Sequence, residues 1–283
     1  MTTTTTPQFV TSADGTRIAC ETHGTGPALI LVDGAMCRRQ MGPSPALWPL
    51  LADAFAVTFY DRRGRGDSGD AAGVVPGQAP ADVVDREIDD LIAVAAAVAG
   101  DAGVFVYGSS SGAMLAARAT ARGLKVKKLV LHEPPLALDG TRVPEPIDYQ
   151  AQIGAFVANH KPGDAVKLFM RVVGVPAPAL VIMRFIPGLW KKLTVSAHTL
   201  PYDFALLGDT QTGGPLPVAV RDVFARIAVP TLLLVGGKSP PYMHHAVKTA
   251  AALITTSTTT VLPGQEHNVS PKAIAPRLRA FFT

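Results

Sequence analysis

Three serines stand in a row in the stretch Val104-Phe-Val-Tyr-Gly108-Ser109-Ser110-Ser111-Gly112-Ala113, and the glycines around them select one. Only Ser110 has glycine both two residues before it, at Gly108, and two after it, at Gly112. An apolar run leads in and a helix-forming stretch, Ala113 to Arg118, leads out. Gly-x-Ser-x-Gly between a strand and a helix is the context of a nucleophile elbow, a turn so tight that its flanking positions must be nearly free of side chains. A serine hydroxyl is a poor nucleophile at neutral pH. It needs a base within hydrogen-bond reach, and the base needs a third group to hold its tautomer and stabilise its charged form. The bland reading of the same stretch is a serine- and glycine-rich turn, and the motifs further along the chain tell against it.

Of seven histidines, His267 is placed to be the base. It lies in Leu262-Pro-Gly-Gln-Glu-His267-Asn268, between the last expected strand and the last expected helix, where active-site loops of a parallel sheet gather. The acid is harder to find. The order serine, acid, histidine predicts an Asp after the strand at residues 231–235. The loop there reads Gly236-Gly-Lys-Ser239-Pro-Pro241, so Ser239 stands where the Asp belongs, and no carboxylate follows until Glu266. Glu266 points away from its neighbour His267 on an extended loop. The acid is therefore absent or comes from elsewhere. The best substitute is Glu133, at the end of the strand expected beside the elbow strand; its alternative role is a strand-end Glu that caps a turn or meets an Arg.

A developing oxyanion needs two backbone N–H donors. Ser111, first in its helix, is expected to supply one. The other is expected from the loop Asp33-Gly34-Ala35-Met36-Cys37, where Gly34 allows close approach and Ala35 or Met36 donates. Asp33 either orients this loop or simply ends its strand. The turn Asp61-Arg62-Arg63-Gly64-Arg65-Gly66-Asp67-Ser68-Gly69 lacks both phosphate-loop spacings and reads as structural, packed beside the site.

The elements that must position these residues alternate in type. Short β-rich runs are predicted at residues 9–12, 17–21, 28–33, 56–60, 103–107, 127–131, 231–235 and 258–262, with helices near 81–98 and 271–281. That order predicts an α/β fold with a mostly parallel eight-stranded sheet and flanking helices. Residues 138–217 break the rhythm with helical pieces at 149–159, 164–173 and 178–185 and no strand. They are expected to form a helical cap over the carboxyl ends of the strands, splitting a core domain into residues 1–137 and 218–283. Among the cap's apolar residues, Trp190, Met183 and Tyr202 are candidates to touch a substrate.

Composition bounds the partners. The 283 residues are 48% hydrophobic and only 17% charged, ample for a buried core. The net charge of +4 is scattered, which argues against a nucleic-acid site. Two cysteines make no disulfide framework and fit a reducing compartment. Met1 to Pro7 lacks a basic segment followed by an apolar one, so no signal peptide, a frayed tail and a cytoplasmic location are expected. No apolar run approaches a membrane span, no ligand spacing implies a metal, and no organic cofactor is implied. A homodimer is compatible with the sequence.

Together the glycine-bearing loop after Val32, the Asp61–Gly69 turn, the Gly108–Gly112 elbow, the inserted helices and the late His267 resemble an α/β-hydrolase-fold enzyme over about Phe9 to Phe282. A finer likeness lies in Gly108-Ser-Ser-Ser-Gly-Ala113, His132-Glu133-Pro134 and the vacant acid position at Ser239, which resemble zearalenone lactonase-type hydrolases. That resemblance implies a triad of Ser110, Glu133 and His267. Haloalkane dehalogenases also place an acid there, but Ser110 replaces their Asp nucleophile. The expected function is hydrolysis of an ester or lactone of a hydrophobic small molecule through an acyl-enzyme. Carbon–carbon bond hydrolysis, perhydrolysis, thioester cleavage and a non-hydrolytic binding or biosynthetic role remain alternatives on the same site.

Overall fold

The computed structural model describes residues 7–70, 74–143 and 146–283; the N-terminal tail expected to fray falls, for residues 1–6, outside them. Eight strands form one sheet in the order β1-β2-β4-β3-β5-β6-β7-β8. They are β1 (Gln8–Thr11), β2 (Arg17–His23), β3 (Ala28–Val32), β4 (Ala56–Tyr60), β5 (Val104–Ser109), β6 (Val126–His132), β7 (Thr231–Gly236) and β8 (Ser257–Leu262). β1 and β2 form an antiparallel hairpin, β2 joins β4 antiparallel, and every later pairing is parallel. β5 and β7 are buried along their whole length, as uninterrupted apolar runs covered on both faces should be. Thr-rich β8 closes the sheet and is largely exposed.

Helices cover both faces. In chain order they are α1 (Ser44–Leu47), α2 (Val83–Ala99), α3 (Ser111–Ala121), α4 (Tyr149–Ala158), α5 (Pro162–Val172), α6 (Ala177–Phe185), α7 (Leu189–Thr194), α8 (Leu200–Leu207), α9 (Val218–Ala225), α10 (Pro241–Leu253) and α11 (Pro271–Phe282). One core layer packs α2, α3, α9 and α10 on the sheet through residues such as Leu91, Leu115, Phe224 and Val247. The opposite layer packs α1 and α11 through Leu47, Phe55, Leu278 and Phe282. There the rings of Phe55, Phe105 and Phe282 lie 5.1 to 6.1 Å apart.

Helices α4 to α8 interrupt the strand–helix order between β6 and β7, within the span that the loss of rhythm marks out. They build a third core of their own from Ile153, Val166, Leu193, Leu200 and Phe204, and Met36 of the β3 loop plugs into it. Three of these helices match the pieces expected from sequence. α7 and α8 do not, for a physical reason: α8 is buried at Leu200 to Phe204, Leu206 and Leu207, nearly all round, so it carries no amphipathic stripe to read. It also carries Pro201 in its first turn and directly follows a 3-10 turn at Ala197–Thr199, which reads as a loop.

Candidate active site

Three neighbouring strands, β5, β6 and β7, end together, and Ser110 and Glu133 follow directly on the first two. The Ser110 N–H donates to the carbonyl of His132 at 2.9 Å, and the Glu133 N–H donates to the carbonyl of Leu234 at 3.1 Å. The chain reversals after β5 and β6 are therefore locked to the strands beside them. Ser110 and Glu133 both pay for their positions in backbone strain, at φ 57° and 46°. Only five non-glycine residues among those described have positive φ, and a third is Met36 in the β3 loop, at 61°. Strain concentrated on side chains that could do chemistry is a pointer to function.

The glycines of the elbow are there for space. A Cβ on Gly112 would lie 2.2 Å from the Val32 carbonyl oxygen, and one on Gly34 would lie 2.9 Å from the Ser110 Cβ. The β3 loop therefore presses against the nucleophile candidate with nothing between them. Helix α3 starts at Ser111, so its first amides face the site unsatisfied by the helix itself. Among the described residues no acceptor engages the N–H groups of Ser111, Ala35 or Met36. Asp33 resolves in favour of orienting the loop: its Oδ1 accepts from the Ser44 hydroxyl at 2.8 Å, and its Oδ2 accepts from the Ser44 N–H. Burial raises its pKa to about 6.

Glu133 reaches the histidine. Its Oε2 accepts from His267 Nδ1 at 2.5 Å, and its Oε1 accepts from the Gly236 N–H at 2.6 Å. The carboxylate is fully buried. Burial alone would raise its pKa, yet the bond to His267 and that group's charge, with the nearby Ser239 hydroxyl and the Gly236 amide, hold it at about 2. Ser239 lies beside the carboxylate without a well-directed hydrogen bond to it. The residue in the usual acid position thus neighbours the carboxylate that reaches His267. Glu266 is exposed and has no part in this arrangement.

His132, one residue before Glu133, is fully buried, and its ring stacks 6.0 Å from that of His267. Burial, reinforced by His267, lowers its pKa to about 4 against the opposing charge of Glu133. An NMR titration of the ring nitrogens should find one imidazole neutral down to about pH 4, and its signal should vanish in His132→Gln. Titration of every histidine near the ordinary value would contradict the burial.

Ser110, Ser111, Ala35 and His267 line one narrow cavity of about 90 Å³. Ser110 and His267 both line this cavity, and among the described residues no hydrogen bond joins the Ser110 hydroxyl to the imidazole. The inserted helices supply Tyr149, Phe169, Phe204 and Gln211 to the same walls. Trp190, Met183 and Tyr202 do not line it, which corrects the expectation for all three. Trp190 and Met183 pack on the insertion's own core. Tyr202 is fully buried and donates its hydroxyl to Asp70 at 2.9 Å. Gly34 and Met36 are not on the wall: Gly34 packs against Ser110 and Met36 joins the insertion's core.

What sequence reasoning missed is a buried ionic hub behind the cavity. Arg62 donates to Asp203 Oδ1 at 2.9 Å and to Glu87. Arg65 donates to Asp203 Oδ2 at 2.9 Å, to the Thr199 hydroxyl at 3.0 Å and to the Gly34 carbonyl at 3.1 Å. Asp203 also accepts from the Ser111 hydroxyl at 2.7 Å. The Asp61–Gly69 turn is structural, as its lack of a phosphate-loop spacing implies, but its arginines tie α8 to the elbow and to the β3 loop. The signal available in sequence was the density of arginine in a segment otherwise built of turn residues.

The chain matches the model of the alpha/beta hydrolase family over residues 23–277. It belongs to the alpha/beta hydrolase family. An alpha/beta hydrolase from Sphaerobacter thermophilus DSM 20745 is 42% identical, with 98% of this chain and 100% of that one aligned at a TM-score of 0.84. The esterase RhEst1 from Rhodococcus sp. ECU1013 is 20% identical, with 98% of each chain aligned at 0.70. The esterase EaEST from Exiguobacterium antarcticum is 18% identical, with 98% of this chain and 99% of that one aligned at 0.71. These two more distant likenesses show the alpha/beta hydrolase fold alone. No protein of curated function matches the chain. No described helix of this alpha/beta hydrolase is long and apolar enough to cross a membrane. No described group of three His, Cys, Asp or Glu side chains is arranged to hold a metal ion.

Proposed function

We propose that this alpha/beta hydrolase is a serine hydrolase of carboxylic esters or lactones, working through Ser110, His267 and Glu133. The observation that carries the reading is the 2.5 Å contact from buried Glu133 to His267, which lines one cavity with the strained Ser110. In this reading Ser110 attacks the substrate carbonyl and His267 takes its proton. Glu133 fixes the imidazole tautomer and balances the imidazolium. The N–H groups of Ser111 and Ala35 hold the oxyanion. His267 returns the proton to the departing alcohol, and a water activated by the same histidine releases the acyl group from Ser110.

Helices α4 to α8 act as the cap. The cavity's size favours a short acyl group, and its largely apolar walls favour a substrate with an apolar body. A fluorophosphonate probe tests the nucleophile: it should label Ser110, and Ser110→Ala should abolish labelling. Intact labelling of that variant, or no labelling of the well-folded wild type, would refute the assignment.

A further inference from the structure

We propose that the cavity recognises its substrate by a carboxylate seated against Arg142. The inference deepens the esterase reading and rests on it for the identity of the reacting carbonyl. It starts from an imbalance of charge on the cavity wall. Two ionised side chains line the cavity, Asp203 and Arg142. Asp203 is neutralised from behind by Arg62 and Arg65, so it offers little to a ligand cation. Arg142 has no such partner: among the described residues no carboxylate lies within ion-pair distance of it.

What Arg142 does have is an aromatic mount. Its Nη1 donates to the Tyr242 hydroxyl at 2.8 Å, and its Cζ lies 4.6 Å from the Tyr242 ring centroid. That stacking fixes the guanidinium plane and leaves most of its five N–H donors uncommitted. Two hydroxyls lie under the influence of its charge, those of Tyr242 and Tyr149. Tyr149 in turn bonds Gln211, so a polar cluster stands in a cavity whose other walls are mostly apolar. A half-buried cation held rigidly beside hydrogen-bonding groups, with no protein anion, is complementary to a planar anion that takes two parallel N–H donors.

The test compares ester pairs that differ in one charge. Monomethyl succinate is set against methyl pentanoate, and acetoxyacetate against butyl acetate, so that the carboxylate is sampled on the acyl and on the alcohol side. Acid release is followed in a pH-stat. Wild type should prefer the charged member of at least one pair. Arg142→Gln should lower the charged-to-neutral ratio of kcat/KM about tenfold or more, through KM, as loss of a charge-assisted pair does. Arg142→Lys should restore part of the ratio. A ratio unmoved by Arg142→Gln overturns the proposal. Should wild type hydrolyse none of the four esters, the esterase reading fails separately, and calorimetric titration with succinate decides. Binding to wild type weakened about tenfold or more in Arg142→Gln sustains the carboxylate site; equal binding, or none, overturns it.

Discussion

Glutamine in place of Glu133 should lower kcat for ester hydrolysis by about 10²–10⁴ while leaving the fold intact. The argument is local. Glu133 is fully buried, with one oxygen on His267 Nδ1 and the other on the Gly236 N–H. Glutamine has the same shape and keeps one carbonyl acceptor, so the strand ends need not move. It loses the charge that stabilises an imidazolium, and its amide nitrogen competes to select the wrong histidine tautomer. The pH dependence separates this from a packing defect. In the wild type the Glu133 pKa is depressed from 4.5 to about 2. A depressed carboxylate stabilises the fold fully above its unfolded value and loses that contribution as pH falls from about 4.5 toward 2. Glu133→Gln should therefore flatten the stability profile across that window and leave it unchanged in shape above it. Denaturant midpoints measured across the window, with steady-state kinetics at neutral pH, check both halves. Near-normal turnover would remove Glu133 from the mechanism.

Methionine in place of Arg65 should destabilise the protein by about 3–5 kcal/mol, the cost of leaving a buried charge without its partner. Arg65 is fully buried, and its guanidinium joins Asp203 in α8, Thr199 before it and the Gly34 carbonyl in the β3 loop. Losing it leaves Asp203 with Arg62 alone, whose charge Glu87 also claims. The double variant Arg65→Met/Asp203→Leu removes one charge of each sign and leaves Arg62 and Glu87 as a balanced pair. It should recover much of the loss, because a buried ion pair exchanged for apolar side chains is often neutral in stability. Activity should not recover with it, since the Gly34 carbonyl still lacks its donor and the β3 loop its tether. Urea midpoints for both variants, with kcat beside them, make the test. Full recovery of kcat in the double variant would show that Arg65 does not position the loop.

The fold was legible in sequence where burial leaves a simple trace. The fully covered strands β5 and β7 read as apolar runs, and the break in alternation after β6 marked the insertion. The elbow was legible because steric demand restricts Gly108 and Gly112 so sharply. Glu133 was legible only through a vacancy, since Ser239 occupies the expected acid position. The cavity wall was not legible. Arg142, Gln211 and Tyr242 come from three separate segments and meet only in three dimensions, with no periodicity to join them. Trp190, Met183 and Tyr202 misled for the converse reason: large apolar residues in an inserted segment serve its own core before they serve a ligand.

With Glu133 at the end of β6 reaching His267, the turn after β7 supplies that carboxylate with neighbours, the Gly236 amide and the Ser239 hydroxyl, and carries no carboxylate of its own. Pro240, at the foot of that turn, also forms part of the cavity wall. One short loop thus touches both the carboxylate that reaches His267 and the cavity wall. A change of length in residues 237–240 would therefore alter the surroundings of Glu133 and the cavity wall together, and with them the loop that carries His267, to which the Gly237 and Lys238 amides are bonded.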